Sequence, residues 1–177
     1  MKEAFIKEKE LVLVFSEGEA EKLIFNFLKI NYSNKKRTFK GPKDLGGIRD
    51  LAEFKRKYDK LIRGLDFKPR QEFLNVKLLL LLDNDLDDSE KIANFIIKKG
   101  HLFQFYQPNI EAMILTIVGY KQVKTVSSFD YRKKCKKEFF HHFGCEAHQL
   151  KDKQLREIFT LIALKKHLVV LARLFIT

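Results

Sequence analysis

The chain has 177 residues, with 35 Lys and Arg against 23 Asp and Glu, a formal charge of +12. That length fits one domain, and 45% apolar content with 12% aromatic is enough for a packed core, which excludes global disorder. Apolar stretches such as Leu78–Leu82 fall far short of the ~20 residues of a membrane span, and the charge points to a polyanionic partner rather than a membrane.

Met1 to Glu10 mixes charges and does not read as a secretory signal. With only two cysteines, the expectation is a cytoplasmic protein with reduced thiols. Leu11-Val12-Leu13-Val14-Phe15 is an unbroken apolar run of strand length, which predicts a strand buried on both faces and hence a parallel sheet. Ser16-Glu17-Gly18-Glu19 ends it, and Leu23, Ile24, Phe27 and Leu28 then recur at helical spacing, with Ser16 and Glu19 as a capping pair. Residues 31–47 are polar, basic and Gly-containing, predicting a loop with a short strand near Arg37–Lys40. Ile48 to Arg63 reads as an amphipathic helix stopped near Gly64.

Val76 to Leu82 predicts a second buried strand, running into Asp83-Asn84-Asp85-Leu86-Asp87-Asp88-Ser89. A helix with Ile92, Phe95 and Ile96 inward ends at Gly100. His101 to Tyr106 is a further strand, and Pro108 opens a helix carrying Ile110, Glu111, Met113, Ile114 and Ile117. Beyond Gly119, Phe129 to Phe143 and Lys153 to Phe175 read as helices. The alternation predicts an α/β fold: about four mostly parallel strands with helices on both faces, over residues 1–120. A helical C-terminal extension, 121–177, packs on the same domain.

Functional groups in such sheets gather at the carboxyl ends of the strands. Glu17 leaves the first buried strand there, and Asp83 and Asp85 leave the second. Clustered carboxylates repel unless a cation neutralises them, and all-oxygen ligands select Mg²⁺ or Mn²⁺. Against this, Asp-rich turns are ordinary loop chemistry; joint placement after two buried strands favours the metal. The charge distribution agrees: residues 1–28 carry −2 and 71–120 carry −3, whereas 29–70 carry +9, 121–156 carry +6 and 157–177 carry +2.

Glu17-Gly18 with Asp83-Asn84-Asp85 resembles the TOPRIM domain, a Rossmann-like metal-binding fold of topoisomerases, primases and nucleases that places Glu-Gly after its first strand and Asp-x-Asp after its third. Within that group the chain resembles the RloB-like and overcoming-lysogenization-defect (OLD) nucleases. Glu21 fits their second Glu, although Ala20 stands where Thr or Ser is usual. Pro108-Asn109-Ile110-Glu111-Ala112-Met113 is similar to a degenerate Asn-Pro-x-(aromatic)-Glu-x-Trp segment, and Tyr131-Arg132-Lys133-Lys134 to a basic Tyr-Lys-Lys element. The resemblance spans about residues 10–118. It implies Glu17, Asp83 and Asp85 as catalytic and metal-holding residues, Glu111 as a second metal position, and Glu21 as a further ligand or its orienter. Asp87 and Asp88 read instead as helix N-terminal charges.

Nucleic acid is then the expected partner, its backbone held by Lys35, Lys36, Arg37, Lys40, Lys43, Arg132, Lys133, Lys134, Lys136 and Lys137. Cys135, His141, His142, Cys145 and His148 are close in sequence, but their spacing matches no standard zinc motif, so incidental packing is preferred over zinc. The apolar 155–175 helix packs on the sheet or offers a surface to a second copy or partner subunit. The functional expectation is a Mg²⁺-dependent nuclease hydrolysing nucleic-acid phosphodiesters, in phage defence or repair. Its alternatives are a non-catalytic nucleic-acid-binding or partner-binding module, and a basic α/β nucleotide-binding protein unrelated to TOPRIM.

Overall fold

The computed structural model describes residues 10–33, 36–64, 75–84, 88–120 and 129–176. Strands β1 (Glu10–Ser16), β2 (Arg37–Asp44), β3 (Asn75–Asp83) and β4 (Leu102–Tyr106) form one sheet in the order β2-β1-β3-β4. Every pairing is parallel. Helices α1 (Glu19–Tyr32), α2 (Leu51–Gly64), α3 (Ser89–Lys98) and α4 (Ile110–Ile117) alternate with the strands. This is an α/β, Rossmann-like arrangement, with β1 and β3 at its centre.

The alternation of side chains across a strand explains the two unbroken apolar runs. Val12, Val14, Leu79 and Leu81 point to one face, where α1, α4 and the C-terminal helices cover them. Leu11, Leu13, Phe15, Leu78, Leu80 and Leu82 point to the other, against α2 and α3. Each such side chain stabilises the fold by roughly 1.5–3 kcal/mol on burial.

The C-terminal region comprises α5 (Phe129–Phe143), a 3₁₀ turn (Ala147–Gln149), α6 (Asp152–Ile158), α7 (Leu161–His167) and α8 (Val169–Ile176). The single helix expected over 155–175 is thus three. Phe159 leaves helical geometry, Thr160 caps α7 by accepting the Ala163 N–H at 3.3 Å, and Leu168 breaks the chain again. The breaks let Leu155, Ile158, Phe159, Leu164, Leu168, Leu171, Leu174 and Phe175 all reach the core, whereas Ile162 stays 80% exposed. Phe175 stacks on Phe39 of β2 at 4.8 Å and meets Phe25 of α1 at 5.4 Å, which fastens α8 to the sheet.

Three further boundaries differ from expectation. β2 continues to Asp44 through Gly41-Pro42. It is an edge strand, and the register shifts opposite Leu13 to Phe15, so the Pro sits at a bulge where no ladder hydrogen bond is lost. Gly41 has φ +103°, and a Cβ there would collide with the Val14 carbonyl oxygen. Gly18, not Ser16, is the N-cap of α1, since Ser16 is still paired in the sheet. Pro108 precedes α4 rather than opening it; Asn109 caps that helix by accepting the Ala112 N–H at 3.0 Å.

Candidate functional site

Because β1 and β3 are direct parallel neighbours, their carboxyl ends emerge side by side. The Glu17 N–H donates to the Leu81 carbonyl at 3.1 Å, so the chain leaves β1 still attached to β3. The Glu17 carboxylate then accepts the Ile48 N–H at 2.9 Å and the Asp83 N–H at 3.3 Å. Two backbone donors therefore fix its orientation. The sequence expectation that Glu17 and Asp83 meet at the ends of adjacent strands is met. Asp85 lies outside the described residues, as do Lys35 and Asp87.

Glu21 projects from the first turn of α1 and is only 3% exposed. Its Oε2 is buried without a hydrogen-bond partner. Burial, with the charges of Glu17 and Glu111 adding to it against local backbone hydrogen bonds, pushes its pKa up to about 7. A Cβ at position 18 would lie 2.8 Å from Glu21 Oε2, so glycine there makes room for this carboxylate. Tyr106, at the end of β4, is fully buried with an unpartnered hydroxyl. Its pKa is raised by burial and by the nearby charges of Glu21 and Asp83.

Glu111 enters from α4. Ile110 and Met113 on either side of it are buried in the core, and Asn109 caps the helix, so the short Pro-Asn-Ile-Glu-Ala-Met segment is a device that aims one carboxylate. Burial raises the Glu111 pKa, partly opposed by the Lys136 charge, and its Oε2 is also buried without a hydrogen bond.

Glu17, Glu21, Asp83 and Glu111 line a single cavity of about 670 Å³ together with Glu19, Glu146 and, from α5, Lys133, Lys136 and Lys137. Cys135 and Phe139 are the buried face of α5, and docking through them turns the lysines toward the acidic side. Phe140 and His148 line the same cavity. Sequence reasoning had no hold on Phe140, Glu146 or Tyr106. Their only advance signal is position: one at a strand end, the others beside a basic helix and a His.

The remaining basic candidates do not share this cavity. Arg37 starts β2, opposite Glu10, roughly 20 Å of strand from the carboxyl end. It donates to Glu10 Oε2 at 2.7 Å and to the Leu174 carbonyl at 2.9 Å, tying β1 to α8. Lys36 precedes it at the same end, and Lys40 is exposed mid-strand on β2. Lys43 lines a separate basic hollow of about 530 Å³ with Arg56, Lys57 and Lys60 of α2. Arg132 is half-buried, and Lys134 is exposed away from the cavity. Asp88 serves helix ends, as expected, but its carboxylate accepts the Leu51 N–H at the start of α2 at 3.1 Å while pairing with Lys91.

Among the described residues, no group of three or more His, Cys, Asp or Glu is arranged as a ready metal cage. That covers the Cys135, His141, His142, Cys145 and His148 group as well as the carboxylates; Cys135 is buried, and His148 pairs instead with Glu146 at 3.3 Å. The donor set does suit an open site. Mg²⁺ commonly takes one or two carboxylates and keeps its remaining positions for water and phosphate, and Glu21 and Glu111 each offer a buried, unused oxygen. Among the described residues no helix is long and apolar enough to cross a membrane. Compared with known proteins, the chain matches no family model, no curated protein and no solved structure.

Proposed function

We propose that the protein is a TOPRIM-like, Mg²⁺- or Mn²⁺-dependent nuclease that hydrolyses nucleic-acid phosphodiesters. One observation supports this above the others: Glu17, Glu21, Asp83 and Glu111 share one cavity with Lys133, Lys136 and Lys137 at the carboxyl edge of a parallel sheet. The resemblance of Glu17-Gly18 and Asp83-Asn84-Asp85 to the TOPRIM pattern agrees with it.

Asp83 with Glu17, Glu21 and Glu111 would hold the cation, and Asp85 belongs with them on the same resemblance. When bound, the cation supplies charge neutralisation on the phosphoryl oxygens and acidifies a water. The chain's own groups do the rest. The three lysines take the phosphate backbone and orient it against the acidic wall. Glu17, held by the Ile48 and Asp83 N–H groups, presents a fixed acceptor to a ligand or a proton. In the cation-free site burial pushes the Glu21 pKa up to about 7, so cation binding near neutral pH would displace a proton from it.

A second reading, a nucleic-acid-binding module without catalysis, is favoured by the departures from the TOPRIM-nuclease pattern at Ala20, Ile110 and Met113. Cleavage separates the two. With Mg²⁺ or Mn²⁺ the protein cuts nucleic acid, EDTA stops it, and Asp83→Ala abolishes it. Binding without cutting in either metal selects the second reading, and full activity in Asp83→Ala removes the proposed site.

A further inference from the structure

An exposed phenylalanine stands in line with the lysines of the cavity. Phe140 is 55% exposed, although its neighbour Phe139 is fully buried against Phe143, with ring centroids 4.5 Å apart. Phe139 thus does the packing, and Phe140 adds nothing to the core. Lys133, Lys136, Lys137 and Phe140 follow the spacing i, i+3, i+4, i+7, which is one stripe of a helix. All four line the cavity that holds the carboxylates.

Exposure of one apolar ring is ordinary for a surface; what sets Phe140 apart is that it continues the lysine stripe into the cavity, so one ligand would meet an aromatic face and three ammonium groups together. The ligand that suits both features is a polyanion with flat, apolar faces. Duplex nucleic acid does not qualify, because its bases are already stacked on each other. Single-stranded nucleic acid does: lysines track its backbone while an aromatic side chain stacks a base.

We propose that the substrate of this site is a single strand, and that Phe140 is the stacking platform for one of its bases, next to phosphates held by Lys133, Lys136 and Lys137. The inference rests on the nucleic-acid reading of the same cavity and adds to it a substrate class and a positioning residue. Stacking would fix where along the strand the carboxylates act, without selecting a base, since every base has a face to offer.

The test compares two labelled 15-mers, oligo-dT and the same backbone with every base removed, titrated by anisotropy in Ca²⁺, a hard cation that carboxylates bind. Phe140→Ala should raise the Kd for oligo-dT roughly 5- to 100-fold, the range that one stacked base supplies, and leave the abasic Kd unchanged. Phe140→Trp should keep the affinity. The chain has no other tryptophan, so the emission of that variant should be quenched by oligo-dT and not by the abasic strand.

Equal binding of oligo-dT by wild type and Phe140→Ala overturns the stacking role and leaves the nucleic-acid reading in place. So does an equal loss on both strands. A wild type that binds neither strand overturns both. Binding and quenching as expected, with no cleavage in any metal, supports the stacking role and removes only the nuclease.

Discussion

At the scale of single residues, the carboxylates of the cavity are held in conflict with their surroundings. Glu21 is buried among like charges, and its pKa is raised from an ordinary value near 4.5 to about 7. An acid whose folded pKa is raised favours the protonated form in the fold. Its contribution is therefore fully present below pH 4.5 and is lost as pH rises through 7. In metal-free protein, urea denaturation should show stability falling across that window. Glu21→Gln should reduce the fall, leaving the part owed to Glu111, and exceed wild type at pH 8 by an amount on the order of 1–3 kcal/mol. Adding Mn²⁺ at pH 8 should stabilise wild type more than Glu21→Gln, because the cation then binds the group that the fold keeps ionised at a cost. A Glu21→Gln variant whose stability falls as steeply as wild type would show that this carboxylate is not under strain.

At the scale of elements, two devices fix the sheet and its cover. Arg37 joins β1 to α8 through Glu10 and the Leu174 carbonyl. Burial lifts the Glu10 pKa, but the hydrogen bonds and charges of Lys77 and Arg37 outweigh it and leave the pKa lowered. A lowered carboxylate stabilises the fold above its ordinary pKa, and that contribution is lost as pH falls through the lowered value. Arg37→Ala should thus cost roughly 1–3 kcal/mol near pH 7, less in acid, and should leave nucleic-acid affinity unchanged. A large affinity loss with intact stability would return Arg37 to the binding surface that its sequence suggests. Gly41 forms the β2 bulge at φ +103° against the Val14 carbonyl. Gly41→Ala should lower thermal stability by at least ~1–3 kcal/mol, and a neutral variant would mean that the bulge relaxes freely.

What the sequence made legible divides along the same line. Leu11–Phe15 and Val76–Leu82 could be recognised because a strand buried on both faces needs apolar residues without a break. Glu17 and Asp83 followed as the first acidic groups beyond those runs. Asn109 and the depth of Glu111 were not legible, since a proline beside a helix fits either the first turn or the position before the cap. The breaks at Phe159–Thr160 and Leu168 were hidden because continuous apolar periodicity is satisfied equally by one helix or by three that fold back on the core. Pro42 masked the second half of β2, because only its place at a sheet edge makes the proline tolerable.

At the scale of the whole molecule, the charge of +12 resolves into separate surfaces. The segment 29–70 is the more basic in sequence, yet its Arg37 is a structural clasp and its Lys43 faces a hollow on α2. The segment 121–156 supplies the lysines that oppose the carboxylates, through the docking of α5. That docking depends on Cys135 and Phe139 meeting residues distant in sequence, which no local pattern announces. Replacing Lys133, Lys136 and Lys137 together by Ala should weaken single-strand binding and flatten the dependence of log K on log salt by up to about 2, near 0.7 per phosphate contact. The same replacements at Lys43, Lys57 and Lys60 should do less, and the reverse order would move the binding surface to α2.

The most direct measurement is an anomalous difference map from a crystal soaked in Mn²⁺. It should show a peak in contact with the Asp83 carboxylate, inside the cavity bounded by Glu17, Glu21 and Glu111, and Asp83→Ala should lose both the peak and Mn²⁺-dependent cleavage. Cleavage by a protein whose cavity stays free of Mn²⁺, or a peak elsewhere that survives Asp83→Ala together with activity, would contradict the account.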